Sequence, residues 1–170
     1  MQLRKALPAI VEHEGPVYIR LFRRQAENVF DDDYEFDLGK ADLLRDGSDV
    51  TLIASGVCVA NALQAAETLA QEGVSARVLN IHTIKPIDAD AVIKAASETG
   101  ALVTAENHNV IGGLGSAVAE VLAEQRPTPL ERVGVKDHFG QVGKAPYLMG
   151  VFGITAADIA KAARKAIARK

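Results

Sequence analysis

Residues Ala101–Leu122 read ALVTAENHNVIGGLGSAVAEVL. This stretch falls into a buried apolar strand (ALVTAE), a polar turn (NHN), a glycine-rich loop (IGGLGS) and the start of an amphipathic helix. A helix entered through glycines presents unpaired backbone N–H groups and a positive dipole end, which suits either an anion or a closely packed backbone. Gly112, Gly113, Gly115 and Ser116 are therefore candidates for an anion-binding or packing loop. The loop lacks the G-x-G-x-x-G spacing of a dinucleotide fingerprint, and it follows the third strand of its series rather than the first.

Strands and helices alternate on both sides of that segment. Val50–Ala54 is a β-rich apolar run. Ser55–Gly56 opens a helix with Val59, Leu63, Ala66 and Ala70 at helical spacing, stopped at Gly73. Ala76–Ile81 reads as the next strand. Asp88 caps a helix running to about Ser97, with Val92 and Ala96 inward, and Gly100 ends it. Leu130–Val135 is a further strand and Tyr147–Phe152 a short helix. Thr155, with Asp158 in the capping-box position, starts a last helix striped by Ile159, Ala163, Ala166 and Ile167. Ala41–Arg45 reads as a short edge strand. The alternation predicts an α/β fold of three layers, α/β/α, around a five-stranded sheet that is mainly parallel, either wholly so or mixed.

The start of the chain is different. Residues 2–13 read as a short helix with Leu3, Leu7, Ile10 and Val11 on one face, stopped by Gly15–Pro16. Val17–Phe22 (VYIRLF) reads as a strand. A lone helix and strand cannot hold a core of their own, so residues 1–23 read as the tail of a preceding domain. Residues 24–38, polar and acidic, read as a linker, and residues 39–170 as the main domain. The Asp31–Asp33 triplet has no adjacent ligand motif and reads as solvated surface.

The chain has 170 residues with a formal net charge of −3 and no long basic run, so nothing in its electrostatics argues for nucleic acid. Apolar residues make up 48% and aromatics only 5%, without tryptophan, which favours close-packed helices on a sheet over an aromatic-rich binding face. Cys58 is the single cysteine, so no internal disulfide can form. With no secretory signal and no apolar stretch of membrane-spanning length, the expected location is the cytoplasm.

The candidate chemistry is sparse. His82, His108 and His138 fall at or just past strand ends, where open α/β sheets bind ligands. Convergence of Glu106, His108 and His138 is geometrically allowed, but no H-x-x-x-H or C-x-x-C spacing points to a metal, and structural hydrogen bonding is the favoured role for all three histidines. Cys58 lies early in a helix and reads as a small buried side chain. Arg20, Arg23 and Arg24 flank VYIRLF, and arginine forks suit phosphate through paired, charge-assisted hydrogen bonds.

Three stretches together, NIHTIKPID at 80–88, the 101–119 segment and GVKDHFGQVG at 134–143, resemble the C-terminal domain of transketolase-type thiamine-diphosphate enzymes. The resemblance is closest to the C-terminal half of a transketolase split into two subunits. It extends over essentially the whole chain and implies that residues 1–23 end a pyrimidine-binding domain, with Arg23 gripping the phosphate of the sugar substrate. It implies a two-carbon ketol transfer between sugar phosphates in pentose phosphate metabolism, performed by the full assembly with thiamine diphosphate and magnesium. This chain would act as a structural and dimerisation domain, bind no cofactor alone, supply no catalytic residue or metal ligand, and be inactive alone. Its partner would be an N-terminal transketolase subunit, in a homodimer or heterotetramer. The family's Glu-Glu-His is here Glu106-Asn107-His108, and Val142 stands where the family's FG-x-S-G loop has serine. Deoxyxylulose-phosphate synthases and 2-oxo-acid dehydrogenase beta subunits share the domain and are alternatives, as is a stand-alone anion-binding or regulatory module.

Overall fold

The computed structural model describes residues 1–23 and 26–170, so Arg24 lies outside the described residues. Five strands form one sheet: β1 (Asp42–Arg45), β2 (Val50–Ala54), β3 (Ala76–Asn80), β4 (Leu102–Asn109) and β5 (Leu130–Val135). Their order is β1-β3-β2-β4-β5. β1 runs antiparallel to β3, and the other pairings are parallel. The sheet is thus mixed, with the short β1 closing one edge.

Alternation along the strands sorts the core into two layers. Leu52, Ala54, Val103 and Ala105 face one side, where they pack with α2 (Cys58–Gln71) and α6 (Ala156–Ile167). Ile53, Leu79 and Leu102 face the other, packing with α3 (Ala89–Thr99) and α4 (Leu114–Gln125). This is the expected three-layer α/β/α arrangement. The abundant alanines explain how the helices approach so closely: Ala62, Ala65, Ala66, Ala160 and Ala163 are all buried against the sheet or each other.

The helix ends follow their capping residues. The Asp88 carboxylate accepts the Ala91 N–H at the start of α3, and Gly100 ends that helix at φ 66°. Thr155 and Asp158 form the full capping box of α6. Two sets of ion pairs then hold α6 in place: Arg164 forks onto Glu72 of α2, and Lys165 and Arg169 converge on Glu131 of β5.

Several expectations need correction. The buried stripe of α2 is Cys58, Val59, Ala62, Ala65, Ala66 and Leu69, while Ala70 is exposed, so the helix is rotated by about one position from the expected stripe. The NHN segment belongs to β4, which continues to Asn109 because Asn109 still pairs with Val135 beyond a register shift. The short helix α5 begins earlier than expected (Ala145–Val151), with proline in its first turn. Val17–Phe22 is not a strand: no described strand lies beside it, and Tyr18 and Leu21 are largely exposed. An apolar segment of strand-like sequence cannot form a ladder without a neighbouring edge.

Helix α1 (Gln2–Glu12) forms as expected, and Gln2, Tyr34 and Phe36 are attached to the main domain more firmly than a polar linker suggests. Asp42 on β1 accepts hydrogen bonds from Tyr34 Oη at 3.0 Å and Asn80 Nδ2 at 2.8 Å, and Gln2 Nε2 reaches the same carboxylate at 3.5 Å. Phe30 packs on Tyr34 with ring centroids 4.0 Å apart, and Phe36 packs on His82 at 4.4 Å. Burial pushes the Tyr34 phenol up to about 12, with the Asp42 charge adding to the rise.

Burial also lowers the His82 imidazole below its usual range, against the opposing pull of Asp42 and Asp37. A histidine whose folded pKa is depressed supports stability fully above its unfolded value, about 6.5. That support is lost as pH falls from there toward the folded value. Thermal melts between pH 7.5 and 5 should therefore show the wild type losing stability more steeply than His82→Gln. Parallel pH dependences would show that His82 takes up its proton alike in the folded and unfolded chain, against the lowering by burial.

Candidate functional site

Leu102, Thr104 and Glu106 lie on the face of β4 turned toward α3 and α4. Alternation thus carries the Glu106 side chain under the N-terminus of α4. The carboxylate is only 2% exposed. Its Oε2 accepts the Leu114 N–H at 2.7 Å, and its Oε1 accepts the Gly115 N–H at 2.8 Å. These are first-turn donors that a helix cannot satisfy itself, and their dipole end favours a negative charge. An acidic residue eight positions earlier in sequence caps the helix, while Gly113 at the N-cap supplies no side chain.

The glycines explain themselves by distance. A Cβ on Gly113 would lie 1.9 Å from Glu106 Oε2 and 2.8 Å from the Asn109 carbonyl oxygen. On Gly134 it would meet Val110 Cγ1 at 2.9 Å and Glu106 Cγ at 3.1 Å. Gly112 adopts φ +75°, in the left-handed region. The rest of the loop is similarly paired. Gly112 N–H donates to Ser116 Oγ, which donates to the Val110 carbonyl, and Arg132 Nη1 reaches that same carbonyl at 3.0 Å. The donors expected from Gly115 and its neighbours thus meet an internal anion and a close-packed backbone.

The other candidate residues lie around this clamp. His108 Nδ1 is 4.0 Å from Glu106 Oε2 and 2.8 Å from the Asn109 carbonyl, so the N–H of that bond is on Nδ1. His108 and His138 line one cleft at the carboxyl ends of β4 and β5. His82 lies apart, with Nδ1 2.8 Å from Thr83 Oγ1 and its ring against Phe36. Two of the three histidines are therefore brought together, and two make the structural hydrogen bonds expected of them. Cys58 is fully buried at the start of α2, and burial, reinforced by the Glu106 charge, pushes its thiol up to about 12. It is a packing residue and not a thiolate. Arg23 is exposed and outside the cleft, whereas Arg20 lines it. Among the described residues no group of three His, Cys, Asp or Glu side chains is placed to hold a metal ion. Asp31–Asp33 are exposed.

Sequence reasoning missed the Glu106 clamp and the Asp42 hub. The first had a signal: an acid at the last core-facing position of a strand, followed by a glycine-led helix. The second joins residues 2, 34, 42 and 80, a separation that no local pattern reveals.

Comparison with known proteins adds four findings. The family described as "Transketolase, C-terminal domain" matches residues 39–159. The 6-deoxy-6-sulfo-D-fructose transketolase subunit SqwH of Clostridium sp. (strain MSTE9) is 57% identical over 99% of this chain and 52% of its own length. An apulose-4-phosphate transketolase subunit of Phocaeicola vulgatus is 41% identical over 95% of this chain and 52% of its own. The chain thus spans about half the length of these relatives. A solved structure described as a split gene transketolase, inactive beta4 tetramer, superposes with a TM-score of 0.94 at 47% identity, covering 97% of this chain and 54% of that one.

Removing the clamp should be costly. Glu106→Ala leaves two buried N–H groups unpaired and opens a cavity, an expected loss on the order of 3–5 kcal/mol. Gly113→Ala displaces the carboxylate and should cost roughly 1–3 kcal/mol or more. Because both act on one contact, the double variant should be less destabilised than the sum of the singles. Denaturant unfolding of the four proteins checks this, and strict additivity would mean that Gly113 does not act through Glu106.

Proposed function

This chain belongs to the transketolase C-terminal domain family, and we propose that it is the C-terminal part of a thiamine-diphosphate-dependent transketolase. The whole assembly transfers a two-carbon ketol unit between sugars that carry a terminal anion. The observation that carries this reading is coverage: nearly the entire chain aligns with about half of a transketolase subunit. In this reading residues 1–23 close the preceding pyrimidine-binding domain, residues 24–38 link, and residues 39–170 form the C-terminal domain. The exposed apolar residues of the first segment, among them Leu7, Val11, Tyr18 and Leu21, support it, because they are the surface such a domain would cover.

The residues of this chain do not fit thiamine diphosphate or its metal. The sequence has no G-D-G diphosphate motif. The buried acid among the described residues, Glu106, is held on both oxygens by backbone N–H groups, so that carboxylate is not free to activate a cofactor. We place the cofactor, magnesium and the reacting atoms on an N-terminal partner chain or domain, in a cytoplasmic homodimer or heterotetramer. No helix of the described residues is long and apolar enough to cross a membrane. This chain contributes architecture and one substrate contact: Arg23, at the end of the VYIRLF segment, grips the terminal phosphate or sulfonate of the sugar. The relatives' names include both kinds of anion, and a guanidinium fork suits either.

The test is reconstitution. The chain alone should show no ketol transfer, and addition of an N-terminal partner should restore it. In that assembly Arg23→Ala removes a charge-assisted hydrogen bond, worth about 1.5–3 kcal/mol. It should lower kcat/KM for anionic sugars by roughly ten- to a few-hundred-fold, and Arg23→Lys should recover only part. Sugars lacking the terminal anion should be nearly indifferent. Equal losses on both kinds of sugar would make Arg23 a domain-boundary residue. Transfer by the chain alone would overturn the assignment of catalysis to a partner.

A further inference from the structure

We propose that the cleft at the carboxyl ends of β4 and β5 is a binding site for a small organic phosphate, separate from the substrate contact assigned to Arg23. The cleft encloses about 360 Å³, within the range of small-molecule pockets, roughly 300–1,000 Å³. Its lining divides by chemistry and by depth. Arg20, His108 and His138 are exposed, whereas Leu148, Met149 and Phe152 are half-buried, with Ile154 buried among them. A polar rim carrying the Arg20 charge, over an apolar floor, matches a molecule with an anionic head and an apolar or ring-shaped body.

The donor set favours phosphate. The Arg20 guanidinium, the Asn107 amide and the His138 ring surround the same space, and together they offer more donors than a carboxylate's two oxygens use, with the His108 ring beside them. No Asp or Glu is among the described lining residues. Two acids lie close by, and both are engaged. Glu106 is 4.0 Å from His108 Nδ1 but accepts two backbone N–H groups. Asp137 accepts the Asn109 side-chain amide. Because His108 Nδ1–H is donated to the Asn109 carbonyl, its Nε2 is the nitrogen left for a ligand, accepting from a ligand hydroxyl in the neutral ring and donating to an anion only in the imidazolium.

Position supports the same conclusion. β2 sends its crossover to β3 on one side, and β4 sends its crossover to β5 on the other. The strand order therefore reverses between β2 and β4, and open α/β sheets bind ligands outside the carboxyl ends at such a point. The cleft shares β4 with that point, because Asn107, His108 and Asn109 at the end of β4 line it. Arg20 itself comes from the segment ahead of residue 24, so an occupant would bridge that segment to the main domain.

Phenyl phosphate is the probe, with inorganic phosphate and phenol as its two halves. Calorimetry on the full 170-residue chain should show phenyl phosphate binding roughly tenfold or more tightly than inorganic phosphate, because the ring buries apolar area, with phenol weakest. Arg20→Ala should weaken phenyl phosphate roughly tenfold or more, and Arg23→Ala should leave it unchanged. Histidine side-chain NMR provides a readout independent of any variant: the His108 and His138 rings should shift on titration, and the His82 ring should not. Absence of binding, insensitivity to Arg20→Ala, or equal shifts at His82 would overturn the proposal. Weakening by Arg23→Ala alone would also overturn it, returning the anion to the sugar contact. Failure here leaves the reconstitution result untouched, since that assay reads Arg23 and ketol transfer.

Discussion

Two hydrogen bonds, from the Leu114 and Gly115 N–H groups to the Glu106 carboxylate, set the geometry on which the central part of the domain depends. They fasten the start of α4 to the end of β4's core-facing run. They also place a buried carboxylate where the helix dipole and its free donors compensate it. That arrangement leaves no room for a Cβ at Gly113 and little at Gly134. With the carboxylate seated, β4 continues past it to Asn109, and the ladder to Val135 resumes after a register shift. The continuation carries His108 to the rim of the cleft, opposite the β5 loop that carries His138.

Much of the architecture is visible in local pattern because local pattern causes it. Asp88, Gly100, Thr155 and Asp158 terminate helices through their own side chains or φ angles, and the structure has those ends where the residues predict them. The parallel sheet follows from alternating runs that are apolar on both faces. What stays hidden depends on partners distant in the chain. The NHN segment looks like a turn by composition, yet pairing with β5 makes it strand. Val17–Phe22 looks like a strand by composition, yet without a neighbouring edge it does not become one. Tyr34 and Phe36 sit in an acidic stretch that reads as linker, but Asp42 and His82 bind them to the sheet edge.

The site shows the same division. The glycine loop announces a helix N-terminus with donors to spare, and the sequence leaves open whether a ligand or the protein itself fills them. The family likeness then supplies a functional setting that the loop alone does not contain. The chain itself shows a five-stranded sheet, the ion-paired helices α2 and α6 on one face of it, and Arg20 and Arg23 on the N-terminal segment. Arg20 and Arg23, close in sequence, occupy different surroundings, Arg20 lining the cleft and Arg23 lying outside it, which is why the proposed anion site and the proposed sugar contact can be tested separately.

The most direct measurement of the clamp is amide hydrogen exchange at Leu114 and Gly115, with and without added phosphate. If Glu106 caps the helix, both amides exchange only through large-scale unfolding, far more slowly than an exposed loop amide, and phosphate leaves their rates unchanged. Fast exchange at both amides, slowed by phosphate, would contradict the account: the α4 N-terminus would then be open to external anions and Glu106 would not be its cap.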